Sequence, residues 1–149
     1  MYLFKTPRLL KLLYPKLTWD IKTSGRSIFL TFDDGPIPIV TPHVLKILKE
    51  YQARATFFCI GDNVRKHPDI FEQVKRDGHA IGNHTFNHLK GWKTDDDTYI
   101  QNFSKADELL HTNLFRPPYG RIKRSQAARL KALNPNLDIY YVGCIERRF

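Results

Sequence analysis

Two runs separated by about fifty residues put two carboxylates and two imidazoles into one chain: Thr31-Phe32-Asp33-Asp34-Gly35-Pro36 and Asn83-His84-Thr85-Phe86-Asn87-His88. That set suits a hydrolytic metal centre. A divalent ion such as zinc is commonly held by three ligands drawn from His, Asp or Glu, with one position left for water or substrate. Histidines at i and i+4 fall on one side of a helical turn, so His84 and His88 are expected to face one ion together. Adjacent Asp33 and Asp34 would point to opposite faces of a regular strand. Once the strand breaks at Gly35 they are expected to divide the work, one binding metal and the other acting as base. Alone, the first run reads as a strand-ending turn, and the second as a pair of surface or hydrogen-bonded histidines.

A third run, Phe115-Arg116-Pro117-Pro118-Tyr119-Gly120, changes that balance. With T-F-D-D-G-P, H-x-x-x-H and R-P-P-Y-G in series, the stretch from about Ser27 to Asp138 resembles the polysaccharide deacetylases, the NodB-homology group of carbohydrate esterase family 4. The resemblance implies a divalent metal, with zinc expected, held by Asp34, His84 and His88. It implies Asp33 as catalytic base, Arg116 orienting Asp33, and the Tyr119 backbone N–H at the oxyanion. The substrate class it implies is an acetylated amino-sugar polymer, such as peptidoglycan or a chitin-type chain, losing its N-acetyl groups. The chemistry is coherent: a bound metal lowers the pKa of water to about 7 and polarises the carbonyl, a carboxylate takes the proton, and backbone N–H groups stabilise the oxyanion.

These residues need a scaffold that gathers them. Ser27 to Phe32 reads as a buried strand ending in the Asp34-Gly35-Pro36 turn. Thr41 is the candidate N-cap of a helix with Pro42 at its first position. Ala55 to Ile60 is a second strand and Pro68 to Asp77 a helix stopped by Gly78. His79 to Gly82 is a third strand. Asp95, Asp96 and Asp97 crowd the start of a helix carrying Ile100, Phe103, Ala106 and Leu110; a triple-aspartate metal site is the sharper alternative. Leu114 to Arg116 is a fourth strand, Ser125 to Leu133 a helix, and Leu137 to Val142 a fifth strand. Strands alternating with helices predict an α/β fold with a parallel sheet. Asp33, Asp34, His84, His88 and Arg116 all follow strand ends, which share one mouth in a (β/α) barrel. The family resemblance implies a distorted (β/α)7 barrel, here incomplete at about five strands. Residues 27–149 are read as that domain and residues 1–26 as a basic, apolar extension. Trp92 and Phe86 are candidates either for stacking on a sugar ring or for the core.

At 149 residues and 42% hydrophobic content the chain can bury one core, not two. Its net charge of +9 favours anionic surroundings. The basic residues are spread along the chain without interleaved stacking aromatics, so no specific nucleic-acid partner is expected. Cys59 and Cys144 show no CxxC spacing, and Cys59 sits in an apolar run that reads as core. No apolar span is long enough to cross a bilayer, and Lys5, Arg8 and Lys11 interrupt the start, so no cleavable signal peptide is read. Residues 1–17 are expected either to touch a membrane surface or to pack on the domain. The compartment, cell envelope or cytoplasm, stays open.

Two later motifs of the resembled family, an aspartate-bearing aromatic strand end and a histidine serving as general acid, are not found. The ending Tyr141-Val142-Gly143-Cys144-Ile145-Glu146-Arg147-Arg148-Phe149 turns abruptly polar. One permitted codon choice for it, read one base later, encodes Met-Trp-Asp-Val-Leu-Ser-Gly-Asp-Phe, which resembles the missing fourth motif. The expectation is a frameshifted gene, with weak or no turnover in this chain, or a metal- or carbohydrate-binding remnant.

Overall fold

The computed structural model describes residues 11–12, 17–19 and 27–141. Apolar runs rich in β-branched and aromatic residues form five strands: β1 (Leu30–Asp33), β2 (Ala55–Cys59), β3 (Ala80–Asn83), β4 (Leu114–Phe115) and β5 (Asp138–Ile139). They lie side by side in chain order, every pair parallel. Crossovers are supplied by helices α1 (Val40–Glu50), α2 (Gly61–Lys66), α3 (Pro68–Arg76), α4 (Asp96–Leu110) and α5 (Arg124–Leu133). The register aligns the strand ends: Asp33 is level with Phe58, Cys59 with Asn83, and Asn83 with Phe115. The chain therefore leaves β1, β3 and β4 at one edge of the sheet, and the residues just beyond are Asp34, His84 and Arg116.

Burial of apolar surface, worth roughly 25 cal/mol per Å², is divided between two clusters that α4 joins. Tyr99, Ile100 and Phe103 of α4 pack with Phe115, Ile122, Leu130, Leu137 and Ile139. Ala106 and Leu110 of the same helix pack with Leu45, Phe57, Val64, Val74 and Phe86. Cys59 lies in the second cluster, and burial pushes its thiol up to about 12, so it behaves as a small apolar residue. Leu17 and Trp19 complete the first cluster, and Thr18 bridges Tyr140 in parallel, its N–H donating to Ile139 O at 2.7 Å. Residues 17–19 thus pack on the domain; residues 1–10, 13–16, 20–26 and 142–149, including Cys144 and the tail of the expected fifth strand, lie outside the described residues.

Several expectations move. The first strand begins at Leu30, not Ser27, and it is an edge strand: Ile28 and Phe29 are 72% and 54% exposed, and among the described residues only β2 pairs with β1. The first helix starts at Val40, with Ile39 as a cap at φ 69°. Thr41 sits inside the first turn, its Oγ1 accepting the Ile37 N–H at 2.8 Å. Pro42 is tolerated there because first-turn N–H groups have no helical partner. The six-residue helix α2 was not anticipated, being too short to show a period. Asp95 is the N-cap of α4, its side chain accepting the Thr98 N–H at 2.9 Å. Asp97 pairs with Arg129 and Asp96 with Lys123, so the three aspartates serve the helix start, and they do not form a three-ligand group among the described residues. Among the described residues no helix is long and apolar enough to cross a membrane.

His79 is buried and its Nδ1 accepts the Ala55 N–H at 3.4 Å, which requires the neutral ring. Burial chiefly holds its pKa below the ordinary value, with Arg54 assisting and Asp77 opposing. The unfolded chain takes up this proton below about pH 6.5 while the folded chain resists it, so stability is lost as pH falls through that value. The thermal midpoint should therefore drop between pH 7 and 5.5, and the drop should shrink in His79→Gln. An equal slope in both proteins would contradict the assignment.

Candidate metal centre

The segment after β3 is shaped by side chains that take over backbone partners. Asn83 Oδ1 accepts the Thr85 N–H at 2.8 Å, its amide donates to Phe103 O, and Thr85 Oγ1 accepts the Leu89 N–H. Asn102, reaching in from α4, accepts from the N–H groups of Phe86 and Asn87 at 2.9 and 3.0 Å and donates to the Asn87 side chain. Such bonds compete with helical ones, and Thr85 and His88 adopt φ of 62° and 56°. The helical turn expected for His84 and His88 is therefore an irregular loop, yet it brings their rings to 5.0 Å between centroids.

His84 is almost fully buried. Its backbone N–H donates to Cys59 O, and its Nδ1–H donates to Arg116 O at 2.6 Å, since a carbonyl can only accept. That bond fixes the tautomer and leaves Nε2 as a lone-pair donor. Nε2 lies 3.4 Å from Asp34 Oδ1, and His88 Nε2 lies 3.1 Å from the same oxygen. Burial is the main influence holding the His84 pKa below its ordinary value, with Asp33, the Arg116 carbonyl and Asp34 opposing and His88 assisting. Asp34 itself is in the left-handed region at φ 68°, which aspartate tolerates, and Asn63 Nδ2 donates to its carbonyl at 2.7 Å. The three ligand atoms lie within 4.8 Å of one another, the one such group of three found among the described residues. Two imidazole nitrogens and a carboxylate oxygen, with the buried ring already held by its second nitrogen, are a donor set that fits a divalent ion such as zinc.

Asp33 stands beside this group. Its Oδ1 accepts from Arg116 Nη1 at 2.7 Å, and the same nitrogen donates to Thr31 Oγ1 at 2.9 Å. The guanidinium carbon sits 4.1 Å from the centroid of the Phe58 ring, a cation–π support. Phe58 in turn lies against Gly82, where a Cβ would meet ring carbon at 2.3 Å. Tyr119 has φ 58° and an exposed ring 4.6 Å from that of His88. Of the two other candidate aromatics, Phe86 is buried in the second cluster, whereas Trp92 is exposed. Sequence reasoning missed Asn102, Asn63 and Phe58 as supports. Thr31 lay within the first run, but nothing local marks Asn102, whose partners are 15 and 16 residues away.

A sequence profile described as polysaccharide deacetylase matches residues 20–136. The chain is 40% identical over 111 residues to a peptidoglycan-N-acetylglucosamine deacetylase of Bacillus cereus, covering 71% of this chain and 52% of that protein. It is 45% identical over 107 residues to a chitooligosaccharide deacetylase of Azorhizobium caulinodans, covering 67% of this chain and 51% of that one. It superposes on the crystal structure of the Bc1960 peptidoglycan N-acetylglucosamine deacetylase with a TM-score of 0.72 at 37% identity, over 76% of this chain and 55% of the other. The chain thus spans about half the length of the curated relatives it matches. The family resemblance and the α/β fold with parallel strands are borne out.

Two substitutions test how the site is held. Asn102→Ala removes the acceptor of two loop N–H groups; it is expected to cost about 1–3 kcal/mol in urea unfolding and to weaken zinc binding about tenfold. Gly82→Ala must push back the buried Phe58 ring, and a cost of about 1–3 kcal/mol is expected. Wild-type midpoints in both variants would show that these contacts do not support the loops.

Proposed function

Because the chain belongs to the polysaccharide deacetylase family, we propose that it carries the centre of a metal-dependent hydrolase removing N-acetyl groups from an amino-sugar polymer of the peptidoglycan or chitin type. The observation that carries this reading is the meeting of Asp34, His84 and His88 on one side of Asp33, from runs about fifty residues apart. Asp34, His84 and His88 would hold a divalent ion, zinc by preference. When bound, the ion supplies Lewis acidity that polarises the acetyl carbonyl and acidifies water.

The chain's own residues supply the rest. Asp33 is the base that takes the proton of the attacking water. Its ion pair with Arg116 aims the carboxylate, and Thr31 with the Phe58 ring fixes the guanidinium. The Tyr119 N–H is assigned to the developing oxyanion, a placement supported by the contact of its ring with His88. His84, buried and neutral, needs no deprotonation to serve as a ligand.

A second reading, binding of metal and sugar without turnover, is favoured by one feature. Arg116 Nε is buried without a hydrogen-bond partner, so no described residue supplies the acceptor that would complete its pairing. The two readings part on acetate release from N-acetylated chitohexaose by the zinc-loaded chain.

Asp33→Asn is expected to lower that release at least about 100-fold, the usual span for a general base, with zinc affinity retained. His84→Ala and Asp34→Ala should lower zinc affinity in calorimetry. Unchanged zinc binding in both ligand variants would remove the metal assignment; zinc binding with no acetate release would leave the second reading.

A further inference from the structure

Beside the metal trio, a strip of surface carries cations and aromatic rings. The Tyr119 ring, 4.6 Å from His88, has Lys90 Nζ 5.4 Å from its centroid. The Trp92 ring has the Arg121 guanidinium at 5.1 Å. Both rings are more than half exposed. Lys90, Lys93 and Arg121 have no ion-pair partner within 4 Å among the described residues, whereas neighbouring Lys123 is engaged with Asp96 and with Thr94 O.

The strip is built, not incidental. Buried Gln126 donates to Gly91 O at 3.0 Å and to Thr94 O at 3.2 Å, clamping the turn that bears Lys90, Trp92 and Lys93. Gly91 N–H donates to Arg121 O at 3.1 Å, and a Cβ on Gly91 would meet that carbonyl at 2.4 Å, so this approach requires glycine. Trp92 Nε1–H donates to Ile122 O at 3.1 Å, which fixes an exposed indole in one orientation. Rigid aromatic faces with fixed cations recognise a sugar ring bearing an anion, and a guanidinium fork suits a carboxylate.

We propose that Lys90, Trp92, Tyr119 and Arg121 form a subsite for a carboxylate-bearing sugar next to the N-acetylated residue, so that the preferred polymer is acidic. This rests on the deacetylase reading for the neighbouring sugar but is tested by binding. Titrate the zinc-loaded chain with hyaluronan oligosaccharides, which alternate N-acetylglucosamine with a uronic acid, and with neutral N-acetylated chitohexaose at 50 mM NaCl. Binding of the acidic oligomer should be about tenfold tighter, and the preference should collapse at 500 mM NaCl as charges are screened. The Lys90→Gln/Arg121→Gln double variant should lose the preference while keeping neutral-oligomer affinity. Lys46→Gln/Lys49→Gln, equal in charge but on exposed positions of α1, should keep it.

Equal affinity for the two oligomers, no binding of the acidic one, or an equal loss in both double variants would overturn the subsite. Acetate release reports separately on the reading beneath it. Acidic preference without acetate from either oligomer would sink the enzyme and leave the subsite. Turnover without preference would do the reverse.

Discussion

Arg116 holds the site from both of its ends. Its carbonyl accepts the Nδ1–H of His84, which aims the opposite nitrogen at Asp34, while its guanidinium binds Asp33 and Thr31. One residue thus joins the loop after β3 to the end of β1. A charge this buried is costly unless paired, and Asp33, Thr31 and the Phe58 face are the partners that make it tolerable. The ion pair and the histidine tautomer are therefore one arrangement: displacing the arginine would disturb Asp33 and His84 together.

The sheet makes that arrangement available. Parallel pairing in chain order brings the carboxyl ends of β1, β3 and β4 to one edge, and short strands place the first irregular residues at the right level. Where regular structure stops, side chains take over the backbone: Asn83, Thr85 and Asn102 consume N–H groups that a helix would have used. The left-handed residues Asp34, Thr85, His88 and Tyr119 cluster at this edge. Strained or sparsely populated backbone of this kind persists where surroundings over-determine it, and here hydrogen bonds from Asn63, Asn83 and Asn102 supply part of those surroundings.

Electrostatics divides the mouth in two. On one side carboxylates meet an arginine and imidazoles, a balanced set that an ion would complete. On the other, Lys90, Lys93 and Arg121 crowd together, and Arg121 first, then burial and Lys93, hold the Lys90 ammonium below the ordinary lysine range. A small part of the chain's net charge of +9 is thus gathered beside the site.

The sequence alone determined which three runs to look at and, apart from the short α2, the order of strands and helices. The runs around Asp33, His84 and Arg116 carried chemistry in their residue types, and the alternating apolar patterns carried the βα repeat, because both are local properties. What it could not determine was the path of the chain between the histidines, which looked helical from their spacing and is a loop instead. That choice depends on Asn102, and the aim of Asp33 on an arginine 83 residues away. Contacts across such separations form only once the sheet has set its register and the core has closed around α4. Whether Trp92 or Phe86 faced solvent was settled the same way, by what packed against each ring and not by any pattern around it.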